Sequence, residues 1–236
     1  MGKRIIQQRR GRGTHTYKAS KRAFIYKIQI PPRLVCEGTV IALIDSRAHS
    51  APLAKIEYVK ENKKEFFYIP AFKGMVEGQK IQIGGDEVKE GNIMKLVDIP
   101  VKVPINCIES RPGDGGKFMK TAGSSAGINR IVGDKVLVMM PSKKEKKLNQ
   151  NCRAIVGVVA GAGRLDKPIV KAGKNYHIKK SKSKLWPRTS ATKMNAIDHP
   201  FGSGRGKVPK SRIAKRNSSP GQKVGLIRPK RTGKKK

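Results

Sequence analysis

The sequence predicts a mostly β protein in which two small barrels lie between a basic N-terminal and a basic C-terminal extension. Short runs of β-branched or aromatic residues recur at roughly ten-residue spacing. Clusters of Gly, Pro, Asn and Asp separate these runs, as turns between strands require. Positive charge is concentrated toward the two ends of the chain, and no sustained apolar period of 3.6 residues predicts a long helix.

The charge distribution divides the 236 residues into three parts. The chain carries 53 Lys and Arg against 16 Asp and Glu, a formal net charge of +37. Residues 1–36 contain ten basic residues and no acid, whereas residues 171–236 contain 21 basic residues and one acid, Asp198. The centre, residues 37–170, is nearly balanced with 22 basic and 15 acidic residues. Because such a charge repels itself in a compact state, it indicates a polyanionic partner.

The first predicted barrel covers residues 37–103. Its strands are predicted at 38–44, 53–59, 65–69 and 80–83, with sequences GTVIALI, LAKIEYV, EFFYI and KIQI. The run LAKIEYV alternates apolar and polar residues, which is typical of a half-buried strand.

The second predicted barrel covers residues 104–170. Its strands are predicted at 101–108, 128–131, 135–139 and 152–159, and the turn sequences RPGDGG, AGSSAG and VGD lie between them. Each barrel of about 65 residues would be marginal alone, so we expect the two to pack together or to depend on a partner.

The two extensions, 1–36 and 171–236, have the composition of nucleic-acid-binding segments. From Lys171 onward the apolar residues are scattered singly. Since both segments have almost no acids and little core, we expect them to be disordered until they bind. Arg and Lys alternate with Gly and Ser at 9–13 and 202–216, which favours close contact with phosphates of irregular or single-stranded RNA. The ring side chains that could stack on unpaired bases are Tyr17, Tyr176, His177 and Trp186. For Trp186, a place at a barrel edge stays an alternative.

Several function classes are disfavoured by their missing motifs. The run RPGDGGK at 111–117 lacks the first Gly and the Ser or Thr of a phosphate-binding loop, and GAGRLD at 161–166 lacks the third Gly of a dinucleotide fingerprint. The four histidines, at 15, 49, 177 and 199, have no metal-ligand spacing. We therefore expect no catalytic residue and no metal site.

The cysteines and the hydropathy pattern indicate the compartment. The chain has three widely separated cysteines, Cys36, Cys107 and Cys152, which favours free thiols in a reducing environment. It has neither a run of 18 apolar residues nor the apolar core of a secretory signal. A cytoplasmic location is expected.

Seven segments, in their order and spacing, resemble the family of the second protein of the large ribosomal subunit, in its archaeal–eukaryotic branch. They are QQRRGRGTHTYKA (7–19), APLAKIEY (51–58), FFYIPAFKGMVEGQ (66–79), PGDGGKFMKTAGSSAG (112–127), NCRAIVGVVAGAGR (151–164), KAGKNYH (171–177) and MNAIDHPFGSGRG (194–206). The resemblance implies an oligonucleotide-binding-type barrel followed by an SH3-like barrel, with extensions threaded into large-subunit rRNA. It also implies a place near the peptidyl-transferase region, contact with neighbouring large-subunit proteins, a bridge to the small subunit, and support of subunit association, tRNA binding and peptide-bond formation.

Together with the basic composition, the resemblance assigns a set of residues to rRNA binding. These are Arg9, Arg10, Arg12, His15, Lys117, Lys120, Arg153, Arg164, Lys171, Lys174, Asn195, Asp198, His199, Arg205, Lys207, Arg212 and Arg216. No cofactor is expected, and Mg²⁺ is expected only through the rRNA. Two departures from the family pattern stand out: Phe201 and Ser203 interrupt the glycine-rich run after His-Pro, and the segment 178–190 diverges.

Three alternatives stay open at this point. A DNA-compacting protein would also carry high positive charge, but it usually relies on helices or repeated basic tracts. A translation-associated enzyme is weakened by the missing nucleotide and metal motifs. His199 could transfer a proton in peptide-bond formation, because histidine titrates near neutral pH, or it could fix a loop and contact RNA. Co-sedimentation with large-subunit particles would separate a ribosomal protein from the first two.

Overall fold

A computed structural model divides the chain into two compact units. The sheet unit is Ser20–Ala172, and the terminal unit combines Met1–Ala19 with Gly173–Lys236. The residues that the structure describes are 2–18, 20–32, 34–203 and 212–227. Residues 1–19 and 173–236 thus share one unit, whereas residues 20–36 of the predicted N-terminal extension belong to the sheet unit.

The sheet unit contains one ten-stranded sheet, which confirms the predicted mostly β, barrel-type class. The strands are β1 Cys36–Ile44, β2 Leu53–Lys60, β3 Lys63–Pro70, β4 Lys80–Ile83, β5 Ile93–Lys95, β6 Pro104–Asn106, β7 Ala126–Val132, β8 Lys135–Met139, β9 Glu145–Asn149 and β10 Arg153–Val156. Their order across the sheet is β3-β2-β1-β4-β5-β10-β6-β7-β8-β9. All neighbours pair antiparallel except β4 and β5, which meet in parallel at Ile83 and Ile93.

Two hydrophobic cores lie on this sheet, and strand β10 contributes to both. All four residues of β10 are buried. Ile155 belongs to the first core, with side chains from β1 to β5, whereas Ala154 and Val156 belong to the second, with side chains from β5 to β9. Because successive strand residues point to opposite faces, one strand can supply both cores. The two lobes are therefore joined through a shared strand as well as through the chain between them.

Within the ten-stranded sheet, the strands that were not predicted are β5 and β9. Strand β5 has only three residues, too short for a periodic signal. Strand β9, EKKLN, buries only Leu148 and consists of residues that are mostly depleted in strands. It forms because β8 supplies a complete antiparallel partner. The strands predicted at 101–108 and 152–159 are shorter in the structure, where they are β6 and β10. Lys102, with a φ of 72°, precedes β6, and Gly157, with a φ of 114°, follows β10.

The terminal unit has little regular structure and very little core. Its elements are α1 Ile6–Gly11, 3₁₀ turns at His15–Tyr17 and Ala191–Lys193, most of α2 Ala172–Ser181, and a two-residue parallel pair of β11 Ile213–Ala214 and β12 Leu226–Ile227. Among its described residues, only Ile5 and Ala214 are buried apolar side chains. Helix α2 was not predicted, because none of its residues is buried and no apolar face marks it. In the described part of the chain, no helix has the length and apolarity to cross a bilayer.

Candidate nucleic-acid interface

The first group of predicted contact residues surrounds helix α1. Arg9, Arg10, Arg12 and His15 are all exposed, and no acidic residue lies in the first turn of the helix. The guanidinium carbon of Arg10 lies 6.0 Å from the centroid of the Tyr17 ring. A short helix followed by a 3₁₀ turn therefore presents four basic side chains within seven residues of sequence.

A second group of basic side chains comes from the C-terminal part of the terminal unit. Lys174 is exposed on α2, and Arg212 and Arg216 are exposed on either side of β11. On the same helix, Tyr176 is 43% exposed, with the Lys180 amine 6.0 Å from its ring centroid. The predicted contact residues Arg205 and Lys207 lie outside the described residues.

The segment 194–203, named here the His-Pro loop, is closed by its own backbone. The N–H of its last residue donates to the carbonyl of its first at 2.9 Å. The Asn195 carbonyl accepts the N–H groups of Asp198 (3.0 Å) and His199 (3.2 Å). A Cβ on Gly202 would collide with the carbonyl oxygens of the first two loop residues, so only glycine fits there. The loop is therefore held by backbone contacts as well as by side chains.

The imidazole of His199 is engaged within this loop. Its Nδ1 accepts the N–H of Phe201 at 3.0 Å, and the centroids of the two rings are 5.1 Å apart. This bond requires an unprotonated Nδ1, so a neutral ring carries its proton on Nε2. The half-buried ring also lines a cleft of about 280 Å³. One ring nitrogen is thus used for loop structure, and Nε2 is left as the atom for an external partner.

Asp198 connects the His-Pro loop to the N-terminal segment. Its carboxylate lies 3.5 Å from the Lys3 amine. The neighbouring Ile197 carbonyl accepts the Lys3 N–H at 2.7 Å. The sequence places Asp198 among the predicted rRNA contacts, and in the structure its ion-pair partner is a lysine distant in sequence. Asp198 is therefore part of the contact that joins the two chain ends.

A cleft of about 400 Å³, named here the terminal cleft, brings together residues from both chain ends. It is lined by Arg4, Ile6, Arg9, Tyr17, Leu185, Thr189, Lys193, Met194, Asn195 and Asp198. Of the predicted contact residues, Arg9, Asn195 and Asp198 meet here. Sequence reasoning missed Arg4 and Lys193, because neither lies in a distinctive motif and the two stand far apart in sequence.

The sheet unit presents its own basic residues. Lys117, Arg164 and Lys171 are exposed, and Lys120 is half-buried. Arg164, with Lys102, lines a wide groove of about 640 Å³ whose other lining residues include the small side chains of 121–127. Small side chains allow a ligand backbone to approach closely. The groove therefore combines a concave surface with the predicted contact residue Arg164.

Arg153, one of the predicted RNA contacts, is buried in the structure. Its side chain is 10% exposed and its Nη2 lies 3.0 Å from the carboxylate of Glu109, which is fully buried. The Arg153 N–H also donates to this carboxylate at 3.0 Å. An arginine paired in this way balances the charge of a buried carboxylate, so its guanidinium is not an exposed RNA contact. The sequence shows the charge of this residue but not its burial.

Two carboxylates organise the loop 109–117, which superficially matched a phosphate-binding loop. Glu109 accepts the N–H groups of Gly113 (3.1 Å) and Gly115 (3.3 Å). Asp114 accepts three further N–H groups of the loop and the Ser110 hydroxyl. Burial raises the pKa of Asp114, but these hydrogen bonds outweigh it and hold the pKa below its ordinary value. Because its own carboxylates occupy these N–H groups, the loop cannot cradle a phosphate as nucleotide-binding loops do.

The buried thiols are protonated at neutral pH. Burial raises the pKa of Cys107 to about 12 and that of Cys152 to about 11. All three cysteines are free. Among the described residues, no three His, Cys, Asp or Glu side chains come together as metal ligands.

The comparisons with known proteins agree with the resemblance seen in the sequence. A family model described as "Ribosomal Proteins L2, C-terminal domain" matches residues 89–221. The chain is 45% identical over 235 residues to the large ribosomal subunit protein uL2 of Archaeoglobus fulgidus, covering 99% of each chain. The chain belongs to the uL2 family.

Further uL2 proteins match over nearly their whole length. That of Methanococcoides burtonii is 42% identical, with 99% of this chain and all of the relative covered. That of Haloarcula marismortui is also 42% identical, with 99% of this chain and 98% of the relative covered. The matches to uL2 therefore extend over both the sheet unit and the terminal unit.

Proposed function

We propose that this uL2 protein is a structural constituent of the large ribosomal subunit that binds its rRNA near the peptidyl-transferase region. It contacts neighbouring large-subunit proteins and bridges to the small subunit, and it supports subunit association, tRNA binding and peptide-bond formation without being the catalyst. It takes no cofactor of its own and meets Mg²⁺ only through rRNA. Family membership and the exposed basic residues of both units support this proposal.

The observation that carries the proposal is the imbalance of charge in the terminal unit. The chain contains one acid, Asp198, among the 66 residues from 171 to 236, and none in residues 1–36. That acid is already paired with Lys3. Most of the described arginines and lysines of this unit are exposed. Phosphate oxygens are the groups that such side chains bind most readily.

The geometry of His199 favours a structural role over proton transfer. Its Nδ1 is occupied by the Phe201 N–H, so a shuttle would have only Nε2 both to take up and to release a proton. A hydrogen bond from Nε2 to rRNA needs no such exchange. We therefore assign His199 to an RNA contact on a rigid loop.

The test is peptide-bond formation by purified ribosomes that carry His199→Gln. Glutamine retains hydrogen-bonding capacity but cannot transfer a proton near neutral pH. We expect a near-normal rate of the chemical step in these ribosomes. We expect His199→Ala to reduce assembly or subunit joining instead, which sedimentation measures.

Two results would contradict these assignments. A loss of several orders of magnitude in the chemical step, in fully assembled ribosomes with His199→Gln, would show that His199 transfers a proton. Failure of the wild-type chain to sediment with large-subunit particles in moderate salt would contradict the ribosomal role itself.

A further inference from the structure

We propose that the terminal cleft binds a single unpaired nucleotide of an RNA chain, with the base inside the cleft and the phosphates at its rim. This inference rests on the proposed RNA binding and adds one specific site to it. Neither the family match nor the basic composition identifies the cleft. The evidence is the chemistry of its lining, its size and its charge.

The lining has two chemically different parts. Tyr17, Ile6, Leu185 and Met194 are half-buried and give the interior an aromatic ring and aliphatic surface. Arg4, Arg9 and Lys193 line the same cleft but are exposed. A ligand that suits both parts carries a flat apolar ring system joined to an anion, and a nucleotide has that structure.

The cleft also offers polar groups that can hydrogen-bond a base edge. Asn195 and Thr189 are exposed, and Asp198 is half-buried. An amide and a hydroxyl can donate or accept, and a carboxylate accepts from the exocyclic amino groups of bases. The volume, about 400 Å³, lies in the range of small-ligand pockets and excludes a paired duplex segment. Single-stranded RNA is recognised by stacking and base-edge bonding of this kind.

The charge of the cleft remains favourable to phosphate although it includes a carboxylate. The three cations of the rim outnumber Asp198, the one acidic residue of the lining. Asp198 is also neutralised by Lys3, 3.5 Å away. Arg10 approaches the Tyr17 ring at 6.0 Å and adds a further positive charge beside the interior.

The experiment uses full-length protein bound to a large-subunit rRNA transcript, with the 2′-hydroxyl reactivity of every nucleotide measured. We expect Tyr17→Ala to weaken binding by about 5- to 150-fold, the effect of one lost base–aromatic stack. We expect it to change reactivity at a single unpaired nucleotide, while Tyr17→Phe preserves the wild-type pattern. The matched control is Tyr176→Ala, because its ring belongs to the same unit and has a cation at the same 6.0 Å distance but does not line the cleft. It should leave that nucleotide unchanged.

A second variant keeps the test valid if Tyr17→Ala disturbs the terminal unit. Lys193→Gln removes one exposed cation of the rim and leaves the interior intact. We expect it to reduce the slope of log K against log[salt] by about 0.7, the effect of one lost single-strand phosphate contact. It should also alter reactivity at the same nucleotide as Tyr17→Ala. An effect of the two variants at unrelated nucleotides would overturn the single-nucleotide site.

The remaining outcomes separate this site from other ligands and from the proposed function. If Tyr17→Ala protein binds rRNA with an unchanged pattern, the cleft proposal is wrong and rRNA binding stands. If wild-type protein does not bind the transcript, both proposals fail. Tyr17-dependent binding of free nucleoside 5′-monophosphates with no Tyr17-dependent change in rRNA would assign the cleft to a free nucleotide. A Tyr17-dependent cross-link to a neighbouring protein, without an RNA change, would assign it to a peptide.

Discussion

The sheet unit and the terminal unit are stabilised by different means. The sheet unit buries two large clusters of apolar side chains and contains most of the chain's acids. The terminal unit, in its described residues, buries only Ile5 and Ala214 as apolar side chains. Backbone and side-chain hydrogen bonds and the Lys3–Asp198 ion pair hold it together. Apolar burial is the dominant favourable contribution to folding, so the sheet unit has an internal source of stability. The terminal unit lacks this source, and we expect bound RNA to replace it.

The same contrast separates the residues that stabilise the fold from the residues that we expect to bind RNA. A cation in the sheet unit can be buried and paired, as Arg153 is with Glu109. The arginines of α1 are exposed instead. Substitutions in the first group should therefore change the free energy of unfolding, whereas substitutions in the second should change RNA affinity.

The largest effect is expected for Glu109→Ala. The substitution leaves the Arg153 guanidinium buried without its anion and removes the acceptor for three backbone N–H groups. We expect the free energy of unfolding to fall by about 3–5 kcal/mol. Urea denaturation of the full-length protein, followed by far-ultraviolet circular dichroism, measures it. The control is Glu61→Ala, whose side chain is 84% exposed, and it should change stability by about 0.5 kcal/mol or less. Equal effects of the two would contradict the assigned role of Glu109.

The next effect concerns RNA affinity. Replacing Arg9, Arg10 and Arg12 together by Gln should weaken rRNA binding about 100-fold near physiological salt, since three phosphate contacts are lost. The slope of log K against log[salt] should become shallower by about 2 to 3. The control removes the same charge from exposed positions of the sheet unit, with Lys135, Lys144 and Lys147 replaced by Gln. Filter-binding titrations at several salt concentrations compare them. If both triple variants lose affinity equally, binding is not concentrated in the terminal unit.

The smallest expected effect is a dependence of the stability of the sheet unit on pH. Burial raises the pKa of Cys107 from about 9 to about 12, so the folded state favours the neutral thiol. Below pH 9 the thiol is neutral in both the folded and the unfolded chain, and its contribution to stability is fully present. As pH rises toward 12, the unfolded chain loses the proton first and stability falls.

We expect a loss of about 2 kcal/mol from this thiol between pH 8 and pH 10.5. The variant Cys107→Ala should show a correspondingly weaker pH dependence in urea titrations with a reducing agent present. If wild type and variant lose the same stability over this interval, the thiol does not contribute to the alkaline loss. Because both proteins have the same lysines, the effect of lysine titration cancels when their stabilities are compared.

Most strands of the sheet unit could be predicted because each has a recognisable pattern in its own local sequence. The runs at β1, β2, β3 and β8 alternate or are β-branched, so the local pattern and the fold agree. Strand β9 gives no such pattern, since it depends on pairing with β8. The burial of Arg153 was not predictable for a related reason: its partner Glu109 is distant in sequence, and burial arises from tertiary packing.

The candidate site was less predictable than the fold. Asp198 and His199 stand in a recognisable motif, but the terminal cleft is assembled from residues such as Tyr17 and Lys193 that are far apart in the chain. Nothing in the local sequence of either residue indicates the other. Charge counting identifies the basic segments, whereas the pairing of the two chain ends depends on specific contacts such as the hydrogen bond from Lys3 to Ile197.

That hydrogen bond has a consequence for the order of events during synthesis. Lys3 and Ile197 are separated by about 190 residues, so the N-terminal segment leaves the ribosome long before its partner exists. At about 5–20 residues per second, the delay is on the order of 10–40 s. During this interval the sheet unit can fold as its strands emerge, while the arginines of α1 are already free to engage RNA. The nascent chain is therefore able to bind through its first residues before the terminal unit can close.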